Sequence, residues 1–439
     1  MSLRFGMSGG IRAALVNIGW LSGDRIVRMG GALLVGTLVA RYLGPTDFGL
    51  FNLATAIFML FNTSSSLGLD YLVVRDIVLL PDTNHQLLGT AFWLKVAASI
   101  VTTLLAVLFT AATHPGSQLI LMVTILSVAG ISQAYDVIDF YFWGRTLSRR
   151  TVIPKLASFL IINLIRIVAV YRHATVLTFI EIAAAEILLG ELALLLSYRT
   201  FPHGLPSWRF HLPRGRSLLR ESWPLVVASL LVMVYMRTDQ ILIAYFMGER
   251  AVGYYSAAVR LSEMWFAIPV LVCNSVMPRL LRTRTADPAA YYRRLQVVYN
   301  GLVLLSVTLA LLTLPTSGLV IRLMFGAAYQ PAAHILNIHV WTAVFAFMGV
   351  LGGQQMVHEG LAIMEMRRAL AGAVINVLLN LVLIPRYGIA GSACATLIAQ
   401  ATSAYLSDAL SKRTWHIFRM KTYALSGLWI MRGGLNFRA

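Results

Sequence analysis

Charge is scarce in this chain of 439 residues. Asp, Glu, Lys and Arg make up 12% of it, while hydrophobic residues make up 58%. Soluble domains carry roughly 25% charged residues, and a soluble chain of this length could not solvate its surface with so few. Some apolar surface therefore faces lipid. Acids are scarcer than bases: 18 Asp and Glu stand against 36 Lys and Arg, a net charge of +18. In a soluble protein that excess would point to nucleic acid. Here the basic residues collect in short segments between apolar runs, which reads as membrane topology and leaves nucleic acid out as a partner. Only two cysteines occur, Cys273 and Cys394, each inside an apolar run. They read as small core residues and have neither redox nor zinc spacing. The 33 Gly and 14 Pro follow no repeat, which excludes collagenous and elastic classes. No GxxxxGK[ST] segment is present, so ATP coupling has no support. The nine His lie mostly near the ends of apolar runs; His334 and His339 read as residues that cap or pack a helix end. No cofactor and no metal are expected. The N-terminus lacks a cleavable signal pattern, so the first helix is expected to stay as a span.

What the chain does have is long apolar runs. A helix needs roughly 20 apolar residues to cross the hydrocarbon core. Spans are drawn at 15–40, 48–69, 87–111, 118–142, 152–171, 176–197, 222–246, 252–277, 297–316, 333–353, 361–384 and 389–410. A membrane barrel would alternate apolar and polar residues, whereas LVLLSVTLALLTL (302–314) and INVLLNLVLI (375–384) are almost continuously apolar. The fold class is therefore all-α: a polytopic membrane protein of about twelve transmembrane helices.

The basic residues orient it. With the N-terminus in the cytoplasm, most Lys and Arg fall on cytoplasmic segments, and the opposite loops hold only Arg41, Arg172, Arg250, Arg322 and Arg386. This positive-inside bias predicts an even number of spans with both termini cytoplasmic. The organisation expected is a six-helix lobe over 1–198, a cytoplasmic basic linker over 199–220, a second six-helix lobe over 221–410, and a cytoplasmic basic amphipathic tail over 411–439. The tail mixes aromatics with basic residues and reads as an interfacial helix rather than a thirteenth span.

The halves echo each other. ARYLGPTDFGLFNLA (40–54) and AYFMGERAVGYYSAA (244–258) place Ala40, Gly44, Gly49 and Ala54 on Ala244, Gly248, Gly253 and Ala258. Each segment joins the first span of its half to the second, and both lie on the same side of the membrane. Parallel repeats related by an axis along the membrane normal are one organisation of secondary transporters.

Ionisable groups inside spans are costly unless paired, snorkelling or facing a polar cavity. Asp24, Arg25 and Arg28 interrupt the first span, and Asp24 and Arg28 share a face at i,i+4. Lys95 lies in the third span, Arg166 in the fifth with Asn163 a turn before it, Arg237 and Asp239 in the seventh, and Arg260 with Glu263 in the eighth. Glu181, Glu186 and Glu191 mark the sixth, and Asn376 and Asn380 form a polar face in the eleventh. Taken singly, each pair reads equally as helix glue. As a set, five spans from both halves carry Arg or Lys, and cations converging in a low-dielectric cavity would hold an anion, with the arginine fork suited to phosphate. Asp24, Asp239, Glu181, Glu186 and Glu263 are the candidates for ion pairing or for coupling to a proton or sodium ion. Arginines near Asp24 and Asp239 argue against protonation there.

The sequence resembles the polysaccharide flippases of the Wzx type, within the superfamily of multidrug, oligosaccharidyl-lipid and polysaccharide exporters. The resemblance covers residues 10–410. It rests on ARYLGPTDFGLFNLA (40–54), RTDQILIAYFMGERAVGYYSAAVRLSEMW (237–265), PVLVCNSVMPRL (269–280), FGAAYQPAAHILNIHVW (325–341) and NVLLNLVLIPRYGIAGSACATLIAQ (376–400). It implies two six-helix lobes around a central cavity and alternating access. The implied activity is non-enzymatic: transfer of an undecaprenyl-pyrophosphate-linked glycan across the bacterial inner membrane for O-antigen, capsule or exopolysaccharide assembly. Arg25, Arg28, Lys95, Arg166, Arg237 and Arg260 would be the cavity cations. The implied partners are membrane lipids, a polysaccharide polymerase and a chain-length regulator. The alternatives are a multidrug or other solute antiporter of the same superfamily and a non-transporting component of an assembly complex.

Overall fold

The computed structural model describes residues 9–79, 84–199 and 208–431. Arg4, linker residues 200–207 with Pro202 and Pro206, and the tail beyond 431 with Arg432 and Arg438 lie outside the described residues. Among the described residues all regular structure is helical, as the apolar runs require. Nine helical stretches among the described residues are long and apolar enough to cross a bilayer. The chain is a multi-pass membrane protein.

The nine stretches account for the twelve expected spans once two kinks are taken into account and the helix Val176–Tyr198, which is not among the nine, is added. Helix α1 (Gly9–Ser65) breaks at Gly44, with φ 74° and ψ 173°, just before Pro45. Helix α14 (Ala362–Ala404) breaks at Gly388, with φ 62°, shortly after Pro385. Each break divides one long helix into two arms, because glycine accepts a positive φ and the proline removes a backbone donor. Helix α7 (Val176–Tyr198) carries Glu181, Glu186 and Glu191, which set it apart from the nine apolar stretches.

Two compact units divide the chain: Met1–Leu43 with Leu50–Met233, and Gly44–Gly49 with Val234–Ala439. The first contains α2 (Leu69–Leu79), α3 (Asn84–Thr113), α4 (Gln118–Gly130), α5 (Val137–Gly144), α6 (Arg149–Tyr171) and α7, and the start of α8 (Leu212–Met247). Its expected span 118–142 is not one helix. A 3-10 turn at Ile131–Asp136 separates α4 from α5, over the polar run SQAYD. The lipid-facing side of α3 shows Ile100, Val101, Leu104, Leu105 and Leu108, all well exposed. Its opposite end packs Leu87, Leu88 and Ala91 against Leu69, Leu72 and Val73 of α2.

The expected linker runs partly into regular structure: α8 begins at Leu212, well before the expected span start at 222. Arg214 there pairs with the buried Asp76, which also accepts from Arg75 Nε at 2.9 Å. Arg75 in turn reaches Glu221 at 2.8 Å. The basic residues of this stretch are thus partly held within the fold.

The second unit contains the end of α8, then α9 (Glu249–Glu263), α10 (Ala267–Ala286), α11 (Pro288–Met324), α12 (Ala332–His339), α13 (Thr342–His358), α14, α15 (Trp415–Ser426) and α16 (Leu428–Met431). Its core joins Tyr291, Leu295 and Tyr299 of α11 to Ala343, Phe347 and Leu351 of α13, with Cys273 of α10 inside it. Cys273 and Cys394 are both free thiols. Helix α15 has 12 residues, about 18 Å, against a hydrocarbon core of roughly 30 Å, so it is no thirteenth span. Nor does it rest on the surface through its apolar face alone. Lys421 is fully buried and donates to Asp408 at 2.6 Å and to the Ala404 carbonyl at 2.7 Å. The approach needs glycine at 352, where a Cβ would meet Lys421 Nζ at 2.6 Å.

Candidate functional site

Polar side chains buried among apolar helices are the informative ones, and they gather differently in the two units. In the first unit, Arg28 Nε meets Asp24 Oδ1 at 2.7 Å, the pairing expected from the i,i+4 spacing. The Arg28 guanidinium lies 5.2 Å from the centre of the Phe159 ring, and its Nη2 is buried without a hydrogen-bond partner among the described residues. Arg25, one residue after Asp24, is exposed. Arg166 Nη2 meets Glu186 Oε2 at 2.6 Å, which joins two residues that the sequence offered separately. Glu181, on the same helix, is exposed.

Lys95 is 3% exposed. Its Nζ lies 3.7 Å from Asp136 Oδ2 and 5.3 Å from the centre of the Phe140 ring. Lys155 Nζ stands 3.1 Å from both Asp136 Oδ1 and Asp139 Oδ2. Lys95 is the buried member of this group, and an unpaired ammonium there would cost several kcal/mol; Lys155, Asp136 and Asp139 are partly exposed. Sequence reasoning did not single out Asp136 or Asp139, and it counted Lys155 as a cytoplasmic loop residue. The signal was the polar interruption at 132–139 within an otherwise apolar run.

In the second unit Asp239 is 3% exposed. Its Oδ2 accepts from the Tyr255 hydroxyl at 2.6 Å and from the Thr396 hydroxyl at 2.6 Å, and its Oδ1 accepts from Asn380 Nδ2 at 2.8 Å. The sequence suggested an arginine beside this acid; its partners are neutral. Three helices supply them: α8 carries the carboxylate, α9 the tyrosine, and the two arms of α14 the asparagine and the threonine. The break at Gly388 folds α14 back so that both arms reach one group. The arms approach closely enough that a Cβ on Gly391 would meet the Leu383 Cβ at 3.1 Å.

Around this carboxylate several buried polar atoms lack hydrogen-bond partners: Asn380 Oδ1, both side-chain polar atoms of Asn376, and Ser392 Oγ. Buried polar groups are nearly always satisfied, and groups left open call for an explanation. A carboxylate among amide and hydroxyl oxygens, with neutral donors, can hold a proton or a hard monovalent cation, which takes oxygen ligands. Tyr255, Ser392 and Thr396 were not singled out from the sequence, although Asn376 and Asn380 were.

The remaining candidates also lie in this unit. Arg237 Nε is buried without a hydrogen-bond partner, and Arg237 acts electrostatically on Glu263. Arg260 is half-buried in the last turn of α9. Of the six expected cations, Arg28, Lys95 and Arg166 face carboxylates, and Arg28 and Arg237 each keep a buried donor open among the described residues.

Comparison with known proteins places this architecture. A family model described as "Polysaccharide biosynthesis protein" matches residues 38–334. "Probable flippase AglR" of Haloferax volcanii is 27% identical over 188 residues, covering 40% of this chain and 37% of that protein. "Probable low-salt glycan biosynthesis flippase Agl15" of the same organism is 24% identical over 195 residues, covering 44% of this chain and 41% of that protein. The chain spans about two fifths of the length of these curated relatives. Among solved structures, "Lipid II flippase MurJ, inward closed conformation" aligns over 95% of this chain and 92% of its own, with TM-score 0.66 and 14% identity. A multidrug resistance MATE family transporter of the MOP superfamily, in its inward-facing conformation, aligns over 92% of this chain and 99% of its own, with TM-score 0.65 and 11% identity. At such identities the structural likeness speaks for the fold.

Proposed function

Because the chain belongs to the polysaccharide biosynthesis protein family, we propose that it is a flippase. Its cargo is a glycan carried on undecaprenyl pyrophosphate, and it moves that cargo from the cytoplasmic to the outer leaflet of the bacterial inner membrane by alternating access. The two curated relatives are named as probable flippases, one of them of glycan biosynthesis, and this supports the cargo class.

The observation that carries the reading is the pair of open donors, Arg28 Nη2 and Arg237 Nε. Guanidinium groups bind phosphate through charge-assisted hydrogen bonds, and a buried donor without a protein acceptor is ready for an anion. Asp239 supplies the coupling. Its cage of neutral donors, with open oxygens beside it, supports binding of a proton or sodium ion whose release would accompany the change of access. A hydrophilic glycan cannot cross hydrocarbon unaided, and no bond need be made or broken to move it, so the reading requires no enzymatic group. Both termini lie in the cytoplasm in this reading, on the strength of the basic segments. The polymerase and chain-length regulator that complete such a pathway are its proposed partners.

The test is translocation of lipid-linked oligosaccharide in proteoliposomes, with an impermeant lectin or glycosidase reporting the exposed leaflet. Protein-dependent movement that Arg28→Ala and Arg237→Ala abolish supports the reading. A folded protein that moves no glycan but does move organic cations would make it a solute antiporter. A folded protein that moves neither would make it a component of an assembly complex.

A further inference from the structure

Glu191 in α7 takes no part in the function proposed above, yet it is one of the most deeply buried acids of the first unit, at 7% exposure. Its Oε2 is buried and has no hydrogen-bond partner. Helix α4, packed on α7, carries no charge, but four other elements bring one each. Asp136 comes from the 3-10 turn, Lys155 from α6, Lys95 from α3 and Asp139 from α5, and all four act on Glu191 electrostatically. On the same two helices, Arg166 and Glu186 are already engaged with each other.

The charges in this group are odd in number. Two lysines balance two aspartates through contacts of 3.1 to 3.7 Å. Glu191 is the fifth member, and among the described residues no third cation balances it. Helix α7 packs against the turn that carries Asp136, Asp136 and Glu191 act on each other directly, and two carboxyl groups can share a hydrogen bond only if one of them carries a proton. With that proton the cluster is neutral. Without it the cluster has one uncompensated negative charge on a buried carboxyl, an arrangement that a low dielectric penalises.

We propose that Glu191 and Asp136 form a proton-binding site in the first unit, holding one exchangeable proton between them and separate from the carboxylate of Asp239. The proton resides on Glu191 and is donated to Asp136, while Lys95 and Lys155 neutralise the two aspartates. When the proton leaves, Glu191 competes with Asp136 and Asp139 for the two ammonium groups, and the contacts between α7, α6 and the turn at 131–136 must rearrange. Loading and unloading this proton therefore changes the packing of the span that the 3-10 turn interrupts. The site needs no cargo, so it stands or falls independently of the flippase reading.

Infrared difference spectroscopy of the purified protein without cargo tests it, with carbon-13 glutamate separating glutamic from aspartic carboxyls. At neutral pH the native protein should show a protonated glutamic acid band that Glu191→Gln removes and Glu263→Gln leaves in place. Asp136→Asn should remove the band as well, although Glu191 remains, because Glu191 then becomes the second counter-ion the lysines require. Correct folding of each variant is checked by its elution in detergent. A native spectrum that matches that of folded Glu191→Gln, or a Glu191-dependent band that persists in folded Asp136→Asn, would overturn the proposal and leave Glu191 as an ionised partner of the lysines.

Discussion

Gly49 and Gly253 hold equivalent places in the two copies of the repeated segment, and each presses against the backbone of the other copy. A Cβ on Gly49 would collide with the Glu249 carbonyl and lie 2.9 Å from Gly253 N. A Cβ on Gly253 would collide with the Pro45 carbonyl and lie 3.1 Å from Pro45 Cα. The relation is reciprocal, because Pro45 and Glu249 are themselves equivalent positions. The turns before them match too: Gly44 has φ 74° and ψ 173°, and Gly248 has φ 79° and ψ 175°. An internal duplication accounts for both the matched backbone and the mutual contact.

These glycines serve two different needs, and substitution separates them. At Gly248 nothing lies within 4 Å of an added Cβ, so Gly248→Ala meets only the strained backbone, in a region left almost wholly to glycine, and should cost about 2 kcal/mol. Gly253→Ala forces two backbones apart and should cost more, about 3 kcal/mol. Thermal unfolding in detergent should show the larger fall for Gly253→Ala; equal falls would mean that the contact is soft.

Asp239→Asn keeps a side chain of the same shape and still accepts from Tyr255 and Thr396, but it removes the charge. The protein should fold and keep its melting temperature within a few degrees. Translocation driven by an imposed proton or sodium gradient should fall by about tenfold or more, which is about 1.4 kcal/mol. Unchanged gradient dependence would move the coupling site elsewhere.

Exchanging Asp24 and Arg28 should preserve the ion pair, since both residues are partly exposed at 21% and 31% and lie one turn apart. Folding should return with the exchange. Transport should not, because the open guanidinium donor beside Phe159 has moved. Recovery of both together in the liposome assay would show that the pair is structural only.

Lys421 joins the tail helix to the second unit through buried charge, and removing one partner strands the other. Lys421→Met should cost about 3–5 kcal/mol, and Lys421→Met with Asp408→Leu should recover much of it. Burial pushes the Lys421 ammonium down to about 8 from its ordinary 10.5, against the pull of Asp408. Between these values the unfolded chain keeps a proton that the folded chain has released, so stability should rise as pH climbs from about 8 towards 10.5. Melting temperatures across that window should show the rise in the native protein and not in Lys421→Met.

The sequence by itself determined the class of this protein, because hydrophobicity is a property of runs. Spans such as 302–314 must be helices in lipid whatever their neighbours do, since only intrasegment hydrogen bonds satisfy their backbone there. Local rules also reached the Asp24–Arg28 pair, which one helical turn sets, and the glycine echo at 40–54 and 244–258. The tertiary structure alone decided which distant groups meet. Arg166 found Glu186 on another helix, Lys95 found Asp136 in a turn that interrupts a span, and Asp239 found Tyr255, Asn380 and Thr396 in place of the arginine near it in sequence. Lys421 likewise left the surface expected of a basic amphipathic tail for a buried carboxylate. The periodicity of a helix gives the face on which a residue lies, and not what that face will touch. In lipid that second question carries most of the energy, because each buried charge must find its partner across the packing of other helices.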